Sequence, residues 1–214
     1  MTLQYFGHSY LKIETKNGVL AINPYQEFKN IKPPRFKADL CLISENSDFF
    51  NNKKAILGTP FILDGPGEIE KNNIFIKSIF NFSKKKDAQE IFNLVFRLDV
   101  EEISLGIISE LPEKLIKDVI FEELSSVDLF LMPVNKNSSL ETEKVSAILN
   151  QIEPKIFIPL FYYPLGFEKT PNELYEKFLK EIKKKGEIVE KLNIKKAQIP
   201  EEIKIIILKN SLNI

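Results

Sequence analysis

The sequence predicts a layered α/β fold, and three observations carry that reading. The first hundred residues read as short strands separated by turns. From Ile103 onward, strands alternate with amphipathic helices. No apolar run approaches the length of a transmembrane helix. An antiparallel first half followed by a βαβα second half suggests two sheets with helices on the outer faces, an αββα sandwich, although periodicity alone supports only a layered α/β fold. The 214 residues suit a single domain, 1–214, with pseudo-halves of about 1–99 and 100–214. A chain of this size buries roughly 70% of its unfolded surface, enough for a core without staples.

The chain opens as an antiparallel meander: Thr2–Phe6, Tyr10–Glu14 and Val19–Ile22, split by Gly7-His8-Ser9 and Lys16-Asn17-Gly18. Asn-Gly predicts a type I′ hairpin there, whose two central residues need positive φ. Asn23-Pro24 ends the meander, and Pro33-Pro34 keeps the following loop out of any central strand. Leu40–Ile43 is a short buried strand. Ala55–Leu57, Phe61–Leu63 and Ile74–Phe80 follow, with a tight turn at Asp64-Gly65-Pro66-Gly67-Glu68 and a hairpin at Asn72-Asn73. The lysines Lys84–Lys86 read as a solvated hairpin tip. In Ile91–Leu98, Phe92, Leu94, Phe96 and Leu98 share one face and predict a core.

In the second half, Ile103–Ile108, Leu129–Met132, Ile156–Pro159, Glu187–Glu190 and Ile203–Leu208 are expected strands. Pro112–Leu124 reads as a helix with Leu115, Ile116, Val119, Ile120 and Leu124 on its buried face. Ser138-Ser139-Leu140-Glu141 is a capping box ahead of a helix whose stripe is Val145, Ile148, Leu149 and Ile152. Thr170-Pro171-Asn172-Glu173 is a second one, ahead of a helix ending at Gly186.

Charge and composition narrow the function. Thirty basic and thirty acidic residues leave no formal net charge, which argues against nucleic-acid binding. One cysteine excludes an internal disulfide. Gln4, His8, Lys12, Glu14 and Lys16 interrupt the first apolar runs, so no signal peptide is expected. The expectation is a cytoplasmic protein that binds neither membrane nor nucleic acid. Its partner, a protein or a small ligand, and its oligomeric state stay open.

The stretch Ala38–Asn52, ADLCLISENSDFFNN, carries a family resemblance. It resembles the S-H-x-H-x-D-H-x-N loop of the metallo-β-lactamase fold. Gly7-His8-Ser9 is similar to that family's G-H-S turn, and Ile22-Asn23-Pro24 stands where I-D-P is usual. Asp64–Glu70 resembles the D-G-P-G-E-Y-E segment of one small hydrolase-like branch. Leu105-Gly106 resembles the start of L-G-D-x-G-H, and Gln151–Tyr162 the stretch ending I-P-M-H-Y. The resemblance implies a metallo-β-lactamase αββα sandwich. It also implies zinc at those motifs, yet Glu45, Ser47, Phe49, Phe50, Ile107, Glu110 and Phe161 occupy the ligand positions. His8 is the only histidine in the chain. No cofactor is therefore expected, although the family would use zinc.

Two functions remain from this reading. The leading one is a metal-free, catalytically inactive hydrolase homologue with a binding or assembly role, its old site plugged by Phe49, Phe50 and Phe161. The other is a hydrolase of ester, phosphoester or amide bonds with a carboxylate-bound metal at Glu45, Asp48, Asp64 and Glu110. The candidate catalytic residues are His8, Glu45, Asp48, Asp64 and Glu110, with Glu68 a further acid. Two of them could form an acid/base pair with separated pKa values. Structural roles are expected for His8 and Cys41, solvation or turn-bracing for the scattered acids. Phe161-Tyr162-Tyr163-Pro164 is an aromatic loop near the mouth of the old site.

Overall fold

The computed structural model describes residues 1–28, 30–86, 89–110, 116–134, 139–160, 179–180 and 184–211. The strands of the first half are β1 (Thr2–Tyr5), β2 (Leu11–Thr15), β3 (Gly18–Ile22), β4 (Phe36–Lys37), β5 (Leu40–Leu42), β6 (Ile56–Leu57), β7 (Phe61–Leu63), β8 (Gly67–Lys71), β9 (Ile74–Lys86) and β10 (Gln89–Val100). The second half supplies β11 (Ile103–Ile108), helix α1 (Asp118–Leu124), β12 (Leu129–Pro133), helix α2 (Ser139–Ile152), β13 (Ile156–Leu160), β14 (Gly186–Val189), β15 (Leu192–Asn193) and β16 (Lys204–Leu208). They form a six-stranded sheet, β15-β1-β2-β3-β5-β7, and an eight-stranded sheet, β14-β16-β13-β12-β11-β10-β9-β8. Both sheets are mixed: antiparallel in β1–β3 and β8–β11, parallel in β3-β5-β7 and from β11 to β16.

The inner faces of the sheets meet in one apolar layer. Leu3, Ile13, Leu20 and Leu42 of the first sheet share it with Leu94, Phe96, Leu105, Leu131 and Ile158 of the second. Fully burying each large side chain there contributes about 1.5–3 kcal/mol. Strand alternation sends Val95, Ile108, Phe130, Phe157 and Ile205 to the opposite face of the second sheet. There they pack under Ile120 and Leu124 of α1 and Val145, Ile148, Leu149 and Ile152 of α2. The first sheet's outer face differs from the expected helix layer. Among the described residues it is covered by loop and short-strand residues: Phe6, Tyr10, Tyr25, Ala38, Ile43, Ala55 and Ile56. Aromatic stacking closes that face, with the Tyr10 and Phe36 rings 5.8 Å apart.

Several local expectations change. Helix α1 begins at Asp118, after an extended Lys117, and its Val119 is exposed. Strand β9 runs past Phe80 to Lys86, so Lys84 lies in a paired strand opposite Ile91 and not in a solvated tip. Positive φ occurs at both Asn72 and Asn73, whereas at the first hairpin it falls on Gly18 alone and not on Lys16 or Asn17. The second capping box, the helix after it apart from its helical Leu179 and Lys180, the aromatic loop at 161–164 and Phe161 lie outside the described residues, as do Leu115 and Ser138 of the other two helix expectations.

Gly18 is required by its surroundings. Its φ is +150°, and a Cβ would lie 2.9 Å from Asp39 Oδ2. That carboxylate accepts a 2.8 Å hydrogen bond from the Val19 N–H. Gly18→Ala is expected to cost about 1–3 kcal/mol through strain and loss of this bond, read as a lowered urea midpoint.

Candidate functional site

The candidate site forms where loops at the ends of β3, β5 and β11 meet β9 and β10. Asn23, directly after β3, adopts φ 52°, a left-handed conformation that asparagine tolerates. Its Nδ2 donates to Ser9 Oγ at 3.1 Å and Ser109 Oγ at 2.7 Å, and its Oδ1 accepts the Ser44 N–H at 2.7 Å. One buried amide therefore ties the Gly7-His8-Ser9 turn, the loop after β5 and the end of β11. The loop after β5 is also held to the second sheet. Leu94 N–H donates to Ser44 O at 2.7 Å, and Phe92 N–H donates to Asn46 Oδ1 at 2.8 Å. These bonds satisfy polar groups that burial would otherwise leave unpaired.

This scaffold brings Glu45 and Glu110 together. Glu45 is only 6% exposed, and the two carboxyls are hydrogen-bonded to each other. The Lys84 ammonium reaches in from β9. It donates to both Glu110 oxygens, at 2.6 and 2.7 Å, and lies 3.6 Å from Glu45 Oε2. Burial alone would raise the Glu45 carboxyl. The hydrogen bond from Glu110, the adjacent Ser47 and the Lys84 charge outweigh burial and hold Glu45 below the usual carboxylate range. Burial and the bond to Glu45 instead push Glu110 up to about 7, against the pull of Lys84. Lys84 is itself raised: desolvation is outweighed by its two acidic neighbours. The cluster thus holds one ionised carboxylate, one carboxyl that gains or loses its proton near neutrality, and one ammonium.

The segment that follows Glu45 carries an aromatic cluster packed on the outer face of the first sheet. Phe49 and Phe50 meet edge to face at 4.8 Å. The His8 ring lies 5.1 Å from Phe49, 5.9 Å from Phe50 and 5.9 Å from Tyr25. Burial lowers the His8 imidazole to about 4, so it is neutral at physiological pH. Of the three rings expected to converge, Phe49 and Phe50 are in contact, and Phe161 lies outside the described residues.

The other candidates are elsewhere. Asp64 pairs with Lys53 at 2.7 Å, and Glu68 with Lys77 at 3.0 Å, both on the surface. Asp48 is exposed. These acids do not join Glu45 and Glu110, so the four-carboxylate cluster of the hydrolase expectation does not form. Ser47 is buried beside Glu45, and Ile107 belongs to the inter-sheet core. Cys41 is buried, its thiol pushed up to about 12 by burial. Among the described residues, no group of three or more His, Cys, Asp or Glu side chains is placed to hold a metal ion. Sequence reasoning missed Lys84, whose only signal was its place in a lysine run. It also missed the role of Asn23, though the I-N-P departure from I-D-P marked the position.

Two titrations act on stability with opposite signs. Glu110 has a folded pKa above its unfolded value. Its contribution is fully present below pH 4.5 and is lost as pH rises to about 7. His8 is depressed from 6.5 to about 4, so its contribution is present above pH 6.5 and is lost as pH falls towards 4. Thermal melts between pH 4 and pH 8 check this. Relative to the parent, Glu110→Gln should lose less stability on going from pH 5 to pH 8, and His8→Gln less on going from pH 6.5 to pH 4.

Comparison with known proteins agrees with this architecture. A "UPF0173 metal-dependent hydrolase" of Bacillus mycoides is 24% identical, with 83% of this chain and 92% of the relative covered. A crystal structure from Thermotoga maritima, of a candidate zinc-dependent hydrolase of the metallo-beta-lactamase superfamily, superposes with a TM-score of 0.75 at 21% identity, covering 97% of each chain. Igni18, a metallo hydrolase from Ignicoccus hospitalis, superposes with a TM-score of 0.61 at 15% identity, over 91% of this chain and 99% of its own. Both likenesses concern the fold. No described helix is long and apolar enough to cross a membrane. The model of the beta-lactamase superfamily domain matches residues 2–161, and the chain therefore belongs to that superfamily.

Proposed function

We propose that this protein is a metal-independent member of its superfamily and acts by binding or assembly, not by hydrolysis. The Lys84 ammonium, seated on Glu45 and Glu110, carries the reading. Catalytic zinc takes nitrogen, sulfur or carboxylate donors, three from the protein, and leaves one position to water. The positions matched to the family's motifs hold Glu45, Ser47, Phe49, Phe50, Ile107, Glu110 and Phe161. Only two of these are carboxyls, and the sole histidine is among rings. That donor set does not suit zinc. Mg²⁺ and Ca²⁺ want more oxygens, and Lys84 already compensates the pair. An ammonium has one charge and three donors, so it cross-links two acidic loops. It lacks the Lewis acidity that turns water into hydroxide near neutral pH.

A second reading, a hydrolase with a carboxylate-bound metal, is favoured by one observation: Glu45 and Glu110 do converge. The name of the Bacillus relative speaks for a metal as well. Metal analysis decides between them, after exposure to zinc, manganese and magnesium followed by desalting. The metal-independent reading expects no stoichiometric metal and an unchanged melting temperature; bound metal with a raised Tm would establish the second.

Lys84→Met sharpens the test by leaving two carboxyls without their cation. At pH 8 it is expected to cost about 1–3 kcal/mol, the lower part of the range because Lys84 is partly solvated. Millimolar Mn²⁺ should restore part of that loss in the variant and none in the parent. An unchanged melting temperature for Lys84→Met would remove Lys84 from its assigned role.

A further inference from the structure

A second site lies on the outer side of the first sheet, away from the Lys84 cluster. Gln26, Glu27, Lys32, Arg35, Asn52 and Lys54 surround a cleft of about 410 Å³. Ligand clefts for small molecules span roughly 300–1,000 Å³. Three of these side chains are cationic and one is anionic, in a chain of zero formal net charge. Lys12, Lys53, Lys77, Lys84, Lys196, Lys204, Lys209 and Arg97 all form ion pairs. Among the described residues, the ion pairs include none from Lys32, Arg35 or Lys54.

Backbone pairing and hydrogen bonds place the walls that carry these cations. Phe36 pairs with Ile56 in the two-stranded β4-β6 sheet, which sets Arg35 and the Lys54-Ala55 segment side by side. Tyr10 Oη donates to Pro34 O at 2.9 Å, fixing the Arg35 wall. Asn52 Nδ2 donates to Tyr25 O at 2.8 Å, and Gln26 N–H donates to Phe49 O at 2.8 Å, joining the other two walls. Phe28 and Ile31 exchange two reciprocal backbone hydrogen bonds, at 3.1 and 2.9 Å. Like charges gathered on a rigid frame repel one another, and a bound anion relieves that repulsion. The guanidinium fork matches a phosphate bidentately, with the lysines adding point charge.

We propose that the Lys32–Arg35–Lys54 cleft binds a phosphorylated small molecule, its phosphate held by Arg35 and Lys54. The proposal stands on this cleft alone, whether or not the Lys84 site takes a metal. Pyrophosphate is the probe, titrated into the ¹⁵N-labelled full chain in physiological salt, with acetate at matched ionic strength as the contrast. The expected result is saturable shifts at the amides of Gln26, Lys32, Arg35 and Lys54 with pyrophosphate and not with acetate. Arg35→Ala combined with Lys54→Ala should weaken binding about tenfold or more, whereas Lys84→Met leaves it unchanged. Equal shifts from acetate would mean charge screening only and overturn the proposal. So would undiminished pyrophosphate binding by the double variant, or no saturable shift at those amides. All three cations are exposed, so the double variant is expected to keep the parent's melting temperature.

Discussion

Glu45 is a carboxylate buried where two sheets meet, and the site is arranged to make that burial tolerable. An ionised carboxyl taken out of water costs several kcal/mol unless it is paired and hydrogen-bonded. The compensation comes from two distant parts of the chain, Lys84 on β9 and Glu110 after β11. For those groups to reach Glu45, β9 must stay paired with β10 beyond Phe80, and the loop after β5 must be held against β10. Strand length, loop anchoring and the Asn23 network are all linked to this one requirement.

The apolar layer and the polar site stabilise the sandwich in different ways. The layer of Leu3, Ile13, Leu94, Phe96 and Leu105 contributes most of the burial, but apolar packing is non-directional. Asn23 makes directional contacts to Ser9, Ser44 and Ser109, and these set which loops meet. A buried amide with its partners in place resists rearrangement, because any other loop position leaves a donor unpaired. Alongside these bonds, the Lys84 ammonium reaches the loop after β5 at Glu45 and the residue after β11, Glu110.

The basic cleft and the loop that carries Glu45 share one segment. Phe49 packs against His8 on one side, and its carbonyl accepts the Gln26 N–H on the other. Phe49 therefore belongs both to the aromatic cluster and to a wall of the basic cleft.

Much of the fold was legible because it depends on local periodicity. The stripe Val145, Ile148, Leu149 and Ile152 marked a helix, and the alternation Leu94, Phe96, Leu98 marked a core strand, as the structure bears out. The motif-like positions of Glu45 and Glu110 could be located by order along the chain. Other features were decided only in three dimensions. Lys84 looks like part of a solvated lysine run until β10 extends the strand beneath it. Asn17-Gly18 carries the local signal for a type I′ turn, yet the close approach of Asp39 to Gly18 selects another geometry. Among five acids, nothing in their spacing distinguishes Glu45 and Glu110, which converge, from Asp48, Asp64 and Glu68, which do not. The sequence by itself determined which residues alternate, turn and cap, because those preferences act over a few bonds. Tertiary structure decided which charges meet, because Coulomb and hydrogen-bond energies depend on distance through space and not along the chain.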